Sequence, residues 1–248
     1  MQGLKPNGRE SIGVDLSPIP LTRLLTGFLQ SRRQGLSPRT AEWYRDYLNL
    51  ARDVVGIGVT SLEISQFLNG LTCSAGGKHA YYRALKTFYN WLYSARSGYG
   101  LIPHDNPMDG VDAPKVPKRI LPSLTRGQVD TLIDEASCVR DKAIISLFAD
   151  SGLRLSELAN INPKDIDWDN RLIKVVCKGN KEGLAPFVER TEKYLKEWLG
   201  QYHANGHLWD IRPWGIIRML QVLRERTGLP CNPHTFRRTF ACLLAKRG

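Results

Sequence analysis

The segment Asn232-Pro-His-Thr-Phe-Arg-Arg-Thr-Phe-Ala241 decides how this sequence folds and what it can bind. Asn232 followed by Pro233 is typical of a helix start, because asparagine caps the first turn and proline suits its geometry. His234 and Arg237 are three residues apart, so they share one face of the predicted helix. An imidazole and a guanidinium on one face can bind the same anion. The segment therefore predicts a helix that carries part of a phosphate site.

Two upstream segments add further basic groups to this site. The first, Gly152-Leu-Arg-Leu-Ser-Glu-Leu158, places Arg154 where one helix is expected to end and another to begin. The second, Cys177-Lys-Gly-Asn-Lys181, places Lys178 in a predicted tight turn between two strands. Guanidinium groups can balance charge that develops on a phosphate, while a lysine or an imidazole can move a proton. The combination predicts a phosphodiester site without a metal ligand set.

Each of these residues has a simpler interpretation when it is taken alone. Arg154 can be a surface arginine paired with Glu157, three residues later. A lysine in a turn is usually solvated, and a histidine at a helix start is most often a polar cap. Taken together, the order Arg, Lys, His-x-x-Arg resembles the tyrosine recombinase, or phage integrase, family. The resemblance extends from about Leu21 to Gly248.

The resemblance implies site-specific DNA recombination or integration through a 3′-phosphotyrosyl intermediate. It implies that Arg154 and Arg237 bind the scissile phosphate. It also implies that Lys178 protonates the leaving 5′ oxygen and that His234 assists proton movement. Glu157 would be an accessory residue that orients Arg154.

Several further basic residues are candidates for contacts with the DNA backbone. Lys181 is expected on the outer side of its turn, where it contacts phosphate or solvent, and it is also the rival candidate for the general acid. The other candidates lie on two predicted helices, and a merely solvated face remains the alternative for them. The predicted DNA-binding residues are Lys78, Arg83, Lys86, Lys181 and Arg238.

The family's nucleophile is a tyrosine that follows the His-x-x-Arg helix. None of the nine tyrosines in this sequence follows Tyr202. We therefore expect the nucleophile to lie beyond residue 248, and we expect the chain, truncated before it, to bind DNA without cleaving it. The alternative is a non-enzymatic DNA-binding protein that retains the recombinase fold. Xer-like and mobile-element integrases are not distinguished by these motifs.

The charge of the chain agrees with a nucleic-acid partner. The formal net charge is +11, and residues 113–248 carry 23 basic and 15 acidic side chains, against 12 and 9 in residues 1–112. A basic excess around the motifs favours a polyanion such as duplex DNA. The resemblance adds a homo-tetramer on DNA for the intact protein. It implies neither a metal nor any other cofactor, because the phosphotyrosyl link conserves bond energy.

The cysteines and the apolar stretches indicate the cellular compartment of the protein. Five cysteines are scattered without a Cys-x-x-Cys pair, so neither a zinc site nor a disulfide framework is expected. The amino terminus lacks a charged and then apolar signal pattern, and the longest apolar stretch, Ala143 to Ala149, is too short for a bilayer. We expect a cytoplasmic protein without membrane contact.

The first part of the chain predicts a flexible leader, residues 1–17, and a small helical domain, residues 18–110. The resemblance makes this domain the SAM-like core-binding domain. Ser37 and Pro38 read as the cap and first residue of one helix, and Ser61 as the cap of another. The predicted helices run from Leu21 to near Gly35, from Pro38 to Ala51, from Ser61 to Leu68, and through an aromatic stripe from Tyr81 to Leu92.

Residues 111–122 read as a linker because three prolines interrupt them. Residues 123–248 then predict a mixed α/β catalytic domain of the DNA breaking-rejoining type, incomplete at its carboxyl end. Its strands are expected at Leu172 to Cys177 and at Leu184 to Val188, after a turn-like Asp165 to Asn170. Leu243 and Leu244 are expected in its core. The whole chain is therefore expected to be mainly α with a small β component.

Overall fold

A computed structural model describes residues 19–177, 179, 181–202 and 206–246. The chain divides into two compact units, Met1–Lys118 and Arg119–Gly248. Each unit has its own buried apolar cluster. The dividing point lies inside residues 111–122, and the leader predicted at residues 1–17 lies outside the described residues.

The amino-terminal unit is built from helices around an aromatic core. Phe28, Phe88 and Tyr89 are fully buried, and Phe28 meets Phe88 edge to face with ring centres 5.6 Å apart. The hydroxyl of Tyr89 donates a 2.8 Å hydrogen bond to the main-chain oxygen of Val54, so the core contains no unpaired phenol at this position. From residue 19 onward, where the structure describes this unit, the α-helices are α1 (Leu21–Ser31), α2 (Pro38–Leu50), α3 (Ser61–Gly70) and α4 (Ala75–Leu92).

The helix starts follow local capping chemistry. Ser37 caps α2, as its sequence predicts, and accepts a hydrogen bond from the amide of Thr40. The cap of α3 is Thr60 instead of Ser61, because Glu63 completes a reciprocal capping box with Thr60. The Ser61 hydroxyl instead donates to the main-chain oxygen of Pro107.

In its described residues, the carboxyl-terminal unit combines six α-helices with one small sheet. Its three strands form an antiparallel sheet in the order β1-β2-β3, with Ile173 paired to Ile166 on one side and to Ala185 on the other. The strands are β1 (Ile166–Asp167), β2 (Leu172–Cys177) and β3 (Lys181–Pro186). The helices are α5 (Arg126–Asp134), α6 (Val139–Ser151), α7 (Leu155–Ala159), α8 (Glu189–Gln201), α9 (Pro213–Thr227) and α10 (Pro233–Ala245).

Two parts of this sheet differ from the sequence-based prediction. The strand β3 begins at Lys181 instead of Leu184, because the ladder continues to the pair formed by Cys177 and Lys181. Lys181, Glu182 and Gly183 have low strand propensity, so the pattern conceals this extension. Residues 166 and 167, which were predicted to be turn-like, form β1 because they pair with the start of β2.

The core of the carboxyl-terminal unit lies around α6. Its residues 143–149 are buried, and Phe148 stacks on Phe236 of α10 with ring centres 5.7 Å apart. The outer face of α10 departs from the prediction, since Leu244 is 58% exposed and Leu243 is only half-buried. The described residues leave that face uncovered, so it lacks the contacts that a core position requires.

The chain is mainly α-helical with a small β component, which confirms the predicted fold class. Across the described parts of both units, no helix combines the length and apolar composition needed to cross a membrane.

Candidate active site

Arg154 lies at a sharp break between two helices. The helix α6 ends at Ser151 and is capped by Gly152, which adopts a left-handed conformation with φ +60, and α7 begins directly after Arg154. The main chain of Arg154 is extended, with φ −76 and ψ 155, so its side chain leaves the chain between two helix ends. The side chain is 46% exposed, which leaves a guanidinium that a ligand can reach.

Glu157 anchors Arg154 from one side. Its side chain is only 4% exposed, and its carboxylate accepts 2.8 Å and 2.6 Å hydrogen bonds from the main-chain nitrogen and Nη1 of Arg154. Burial alone would raise the pKa of Glu157, but the hydrogen bonds and charge of Arg154, with the charge of Arg237, lower it. The ionised carboxylate in turn raises the pKa of Arg154. Glu157 is thus buried against Arg154, and its accessory role stays a prediction.

Arg237 reaches the same break from α10. Its Nη1 donates a 2.8 Å hydrogen bond to the main-chain oxygen of Gly152, two residues before Arg154. Gly152 is required here for two reasons, since its φ is positive and a β-carbon would lie 2.7 Å from Cδ1 of Phe240. The close approach of Phe240 brings α10 against the break. The segment from Gly152 to Leu158 thus supplies Arg154 and Glu157, and α10 adds Arg237 at the same break.

His234 lies in the first turn of the helix that carries Arg237. Asn232 caps this helix by accepting a 3.0 Å hydrogen bond from the amide of Thr235. Pro233 is the first residue of the helix, as the sequence predicts. His234 is exposed, one helical turn before Arg237. The helix start carries partial positive charge, which suits a nearby anion.

Lys178 lies outside the described residues, but its neighbours show where the turn begins. The strand β2 ends at Cys177, directly before Lys178. Lys181 pairs directly with Cys177, and paired residues point to the same face of an antiparallel sheet. That face also carries the buried Val175. The register thus places the exposed Lys181 on the inner face of the sheet, whereas its sequence predicts the outer side of the turn.

The predicted DNA-binding residues of α4 all have neighbours within their own unit. Lys78 donates a 2.9 Å hydrogen bond from Nζ to the main-chain oxygen of Asn69. Arg83 lies over the ring of Trp43, with 5.3 Å from Cζ to the ring centre. Lys86 lies over Tyr82, four residues earlier, at 5.6 Å. These contacts hold three basic groups on the surface of one helix, and their role towards DNA stays a prediction.

Arg238 makes a protein contact that sequence reasoning does not find. It points away from Arg237 as expected, but its Nε donates a 3.1 Å hydrogen bond to the main-chain oxygen of Pro122. Its Nη2 donates to the hydroxyl of Thr235 at 3.0 Å. The local pattern of α10 carries no signal for either partner, because Pro122 is 116 residues away in the chain.

The acidic, histidine and cysteine side chains of the described ranges do not form a group of three that could hold a metal ion. The described residues at the break supply two guanidinium groups and one buried carboxylate, and the imidazole of His234 lies one helical turn from Arg237. Such a set can bind a phosphate through charged donors and move protons, which is the chemistry of phosphoryl transfer.

Comparison with known proteins identifies the fold and the family of the chain. It is similar to a lambda integrase tetramer bound to a Holliday junction, with a TM-score of 0.74 and 17% identity over 98% of this chain and 79% of the other. This likeness shows the fold of the tyrosine recombinases. The sequence pattern described as the phage integrase family matches residues 122–248, and the chain belongs to that family.

Curated relatives agree with this family. The tyrosine recombinase XerA of Saccharolobus solfataricus is 33% identical over 54% of this chain and 47% of its own length. The tyrosine recombinase XerD of Proteus mirabilis is 29% identical over 87% of this chain and 77% of its own length. The chain thus spans about half of the first relative and about three quarters of the second.

Proposed function

We propose that this protein takes part in site-specific DNA recombination or integration, as a tyrosine recombinase. The observation that carries the proposal is the convergence of Arg154 and Arg237 at Gly152, with Glu157 buried against Arg154. Each guanidinium presents a planar set of donors that matches phosphate oxygens, and hydrogen bonds to the protein hold both groups. Membership of the phage integrase family supports the same reaction.

The proposed reaction is the attack of a tyrosine hydroxyl on a DNA phosphate. The bond from phosphorus to the 5′ oxygen breaks, a 3′-phosphotyrosyl link forms, and the 5′ oxygen receives a proton. Negative charge on the non-bridging oxygens must be balanced as the five-coordinate transition state forms. Arg154 and Arg237 balance it without moving, because Glu157 and the Gly152 oxygen already hold them.

Lys178 is the proposed donor of the proton to the leaving oxygen. It directly follows Cys177, the last residue of β2, and the resemblance to the recombinase family assigns the general acid to this lysine. Lys181 is the rival donor, and its place on the inner face of the sheet strengthens its candidacy. His234 assists proton movement from the start of α10, one turn from Arg237.

The nucleophile sets a limit on what residues 1–248 do alone. The nine tyrosines end at Tyr202, which stacks on Trp198 in α8, and none follows His234. We propose that these residues bind DNA and hold its phosphate without forming a covalent link. A non-enzymatic DNA-binding protein that retains the recombinase fold is the second candidate.

Duplex DNA is the proposed partner, and a homo-tetramer on DNA is the proposed assembly of the intact protein. The net charge of +11 and the exposed basic residues of α4 support binding to a polyanion. The related lambda integrase structure is a tetramer bound to a Holliday junction, which supports the same assembly here.

Two measurements test the proposal. Fluorescence anisotropy with labelled duplex DNA should show binding that weakens steeply between low and moderate salt. The gene should then be read past the codon for Gly248, where the recombinase account expects an in-frame tyrosine. A stop codon directly after Gly248, with salt-dependent DNA binding retained, would support the non-enzymatic candidate instead. Binding that is absent or insensitive to salt would contradict both.

A further inference from the structure

The segment that joins the two units is attached to the carboxyl-terminal unit through α10. Within the described residues, 112–123 make one hydrogen bond, which the main-chain oxygen of Pro122 accepts from Nε of Arg238. Ile120 is fully exposed and Leu121 is 55% exposed, so neither apolar side chain anchors the segment. The point at which the chain enters this unit is therefore set by α10.

A second contact lies two residues further along the chain. The amide of Leu124 donates a 2.8 Å hydrogen bond to the hydroxyl of Thr239, and that hydroxyl donates a 2.9 Å bond to the main-chain oxygen of Thr235. Leu124, Thr235 and Thr239 are all buried. The Thr239 hydroxyl thus donates one hydrogen bond within α10 and accepts another from Leu124, in the chain that leads into this unit. Removing it would leave a buried amide without its partner.

Consecutive side chains on an α-helix point about 100° apart, so neighbouring residues of α10 meet different parts of the protein. Arg237 points to Gly152 at the candidate active site. Arg238 and Thr239 point to Pro122 and Leu124. The helix therefore holds the site on one face and the incoming chain on another.

We propose that Arg238 and Thr239 are positioning residues that fasten residues 122–124 to α10 and thereby fix the helix that presents Arg237. Arg238 then acts within the protein, and its conspicuous place beside Arg237 does not make it a DNA contact. The role given to Arg237 rests on the proposed function. The attachment itself rests only on the hydrogen bonds and burial described above.

The first arm of the test uses the chain without DNA. Thr239→Val keeps the shape of the side chain and removes the hydroxyl, whereas Thr239→Ser keeps the hydroxyl. Hydrogen exchange of the Leu124 amide should speed up about tenfold or more in the valine variant and stay within about twofold in the serine variant. The side-chain Nε resonance of Arg237 should shift in the valine variant and return in the serine variant. An unchanged Leu124 amide and Arg237 resonance in Thr239→Val would overturn the proposal.

The second arm uses Arg238→Ala, which also carries the test if the valine variant does not fold. Trypsin should cut at Lys118 and Arg119 about fivefold faster or more, because the chain that follows them loses an attachment. The matched control is Arg226→Ala, since Arg226 also donates to a main-chain oxygen, that of Glu135, which lies outside residues 112–124. Cutting at Lys118 and Arg119 should not change in the control. Equal cutting in wild type and Arg238→Ala would contradict the proposal.

The third arm separates a positioning residue from a phosphate contact. A lost phosphate contact lowers the slope of log affinity against log salt by about one. Arg238→Ala should leave this slope for duplex DNA unchanged. A slope that falls by about one, with unchanged trypsin cutting, would make Arg238 a DNA contact and overturn the inference. A wild-type chain that binds no DNA would contradict the proposed function alone, because the first two arms need no DNA.

Discussion

Arg237 donates a 2.8 Å hydrogen bond to the main-chain oxygen of Gly152, and this contact joins α10 to the break that presents Arg154. The bond uses one guanidinium nitrogen and a helix-terminal carbonyl that would otherwise need water. It holds Arg237 in place before any ligand binds. A preorganised donor of this kind is most useful where charge develops during a reaction.

Gly152 should tolerate no side chain. In Gly152→Ala the left-handed φ would cost about 1–2 kcal/mol, and the β-carbon would meet Phe240 as well. We expect the free energy of unfolding to fall by about 2 kcal/mol or more, measured by urea denaturation. Gly127→Ala is the matched control, because Gly127 is exposed in α5 with open space around it. It should be neutral or slightly stabilising, and an equal loss in both variants would contradict the steric argument.

Glu157 should make stability depend on pH in a defined direction. Its pKa is lowered in the folded protein, so its contribution is present above the usual carboxyl pKa and is lost as the pH falls through the lowered value. We expect Glu157→Gln to cost about 1–2 kcal/mol at pH 7 and less at pH 3. Glu197→Gln, on the exposed part of α8, is the control. A cost that grows towards pH 3 would contradict the sign.

Lys178 and Lys181 should be distinguished by a sulfur substrate. In a protein that also carries the family's tyrosine, Lys178→Ala should slow cleavage of ordinary DNA and recover when the leaving 5′ oxygen is replaced by sulfur. A thiolate leaves without a proton, so the general acid is no longer needed. Gel assays of cleaved strands measure the cleavage rates of the ordinary and the sulfur-containing DNA. Recovery of Lys181→Ala alone would transfer the role to Lys181, which lies opposite Cys177.

Residues 1–248 alone should form no covalent link with DNA. No tyrosine follows His234, and we expect no other hydroxyl to replace it. Incubation with a nicked duplex, followed by denaturing electrophoresis, should give no protein-linked band. A band whose linked residue maps within residues 1–248 would contradict this account of the nucleophile.

The sequence predicts those parts of the fold and site that rest on local chemistry. The cap at Asn232 and the helix break before Arg154 are coded by a few adjacent residues. Contacts between residues far apart in the chain are not determined by adjacent residues. The contact of Gly152 with Phe240 and the bond from Arg238 to Pro122 join residues far apart in the chain, and neither changes the local pattern. The exposure of Leu244 is likewise a property of what packs around α10.

The start of β3 is a second feature that the sequence alone does not predict. Lys181 has a side chain typical of a turn, yet it is the first residue of the strand because its backbone pairs with Cys177. Register decides which face a side chain occupies, and a shift of one residue would reverse it. The positions of Lys178 and Lys181 in the sequence therefore do not show which of them is the general acid.

The most direct test of the central claim measures phosphotyrosyl adduct and DNA affinity together, in a protein that carries the family's tyrosine. On a nicked duplex, Arg154→Ala and Arg237→Ala should each reduce the rate of adduct formation at least about a hundredfold, since losing one preorganised donor costs about 3 kcal/mol or more. Their dissociation constants for DNA should stay within about threefold of wild type, because each guanidinium meets one phosphate among many. Arg218→Ala, an exposed arginine of α9, should change neither quantity. An adduct rate in either active-site variant that matches the Arg218→Ala control would contradict the claim that Arg154 and Arg237 hold the reacting phosphate.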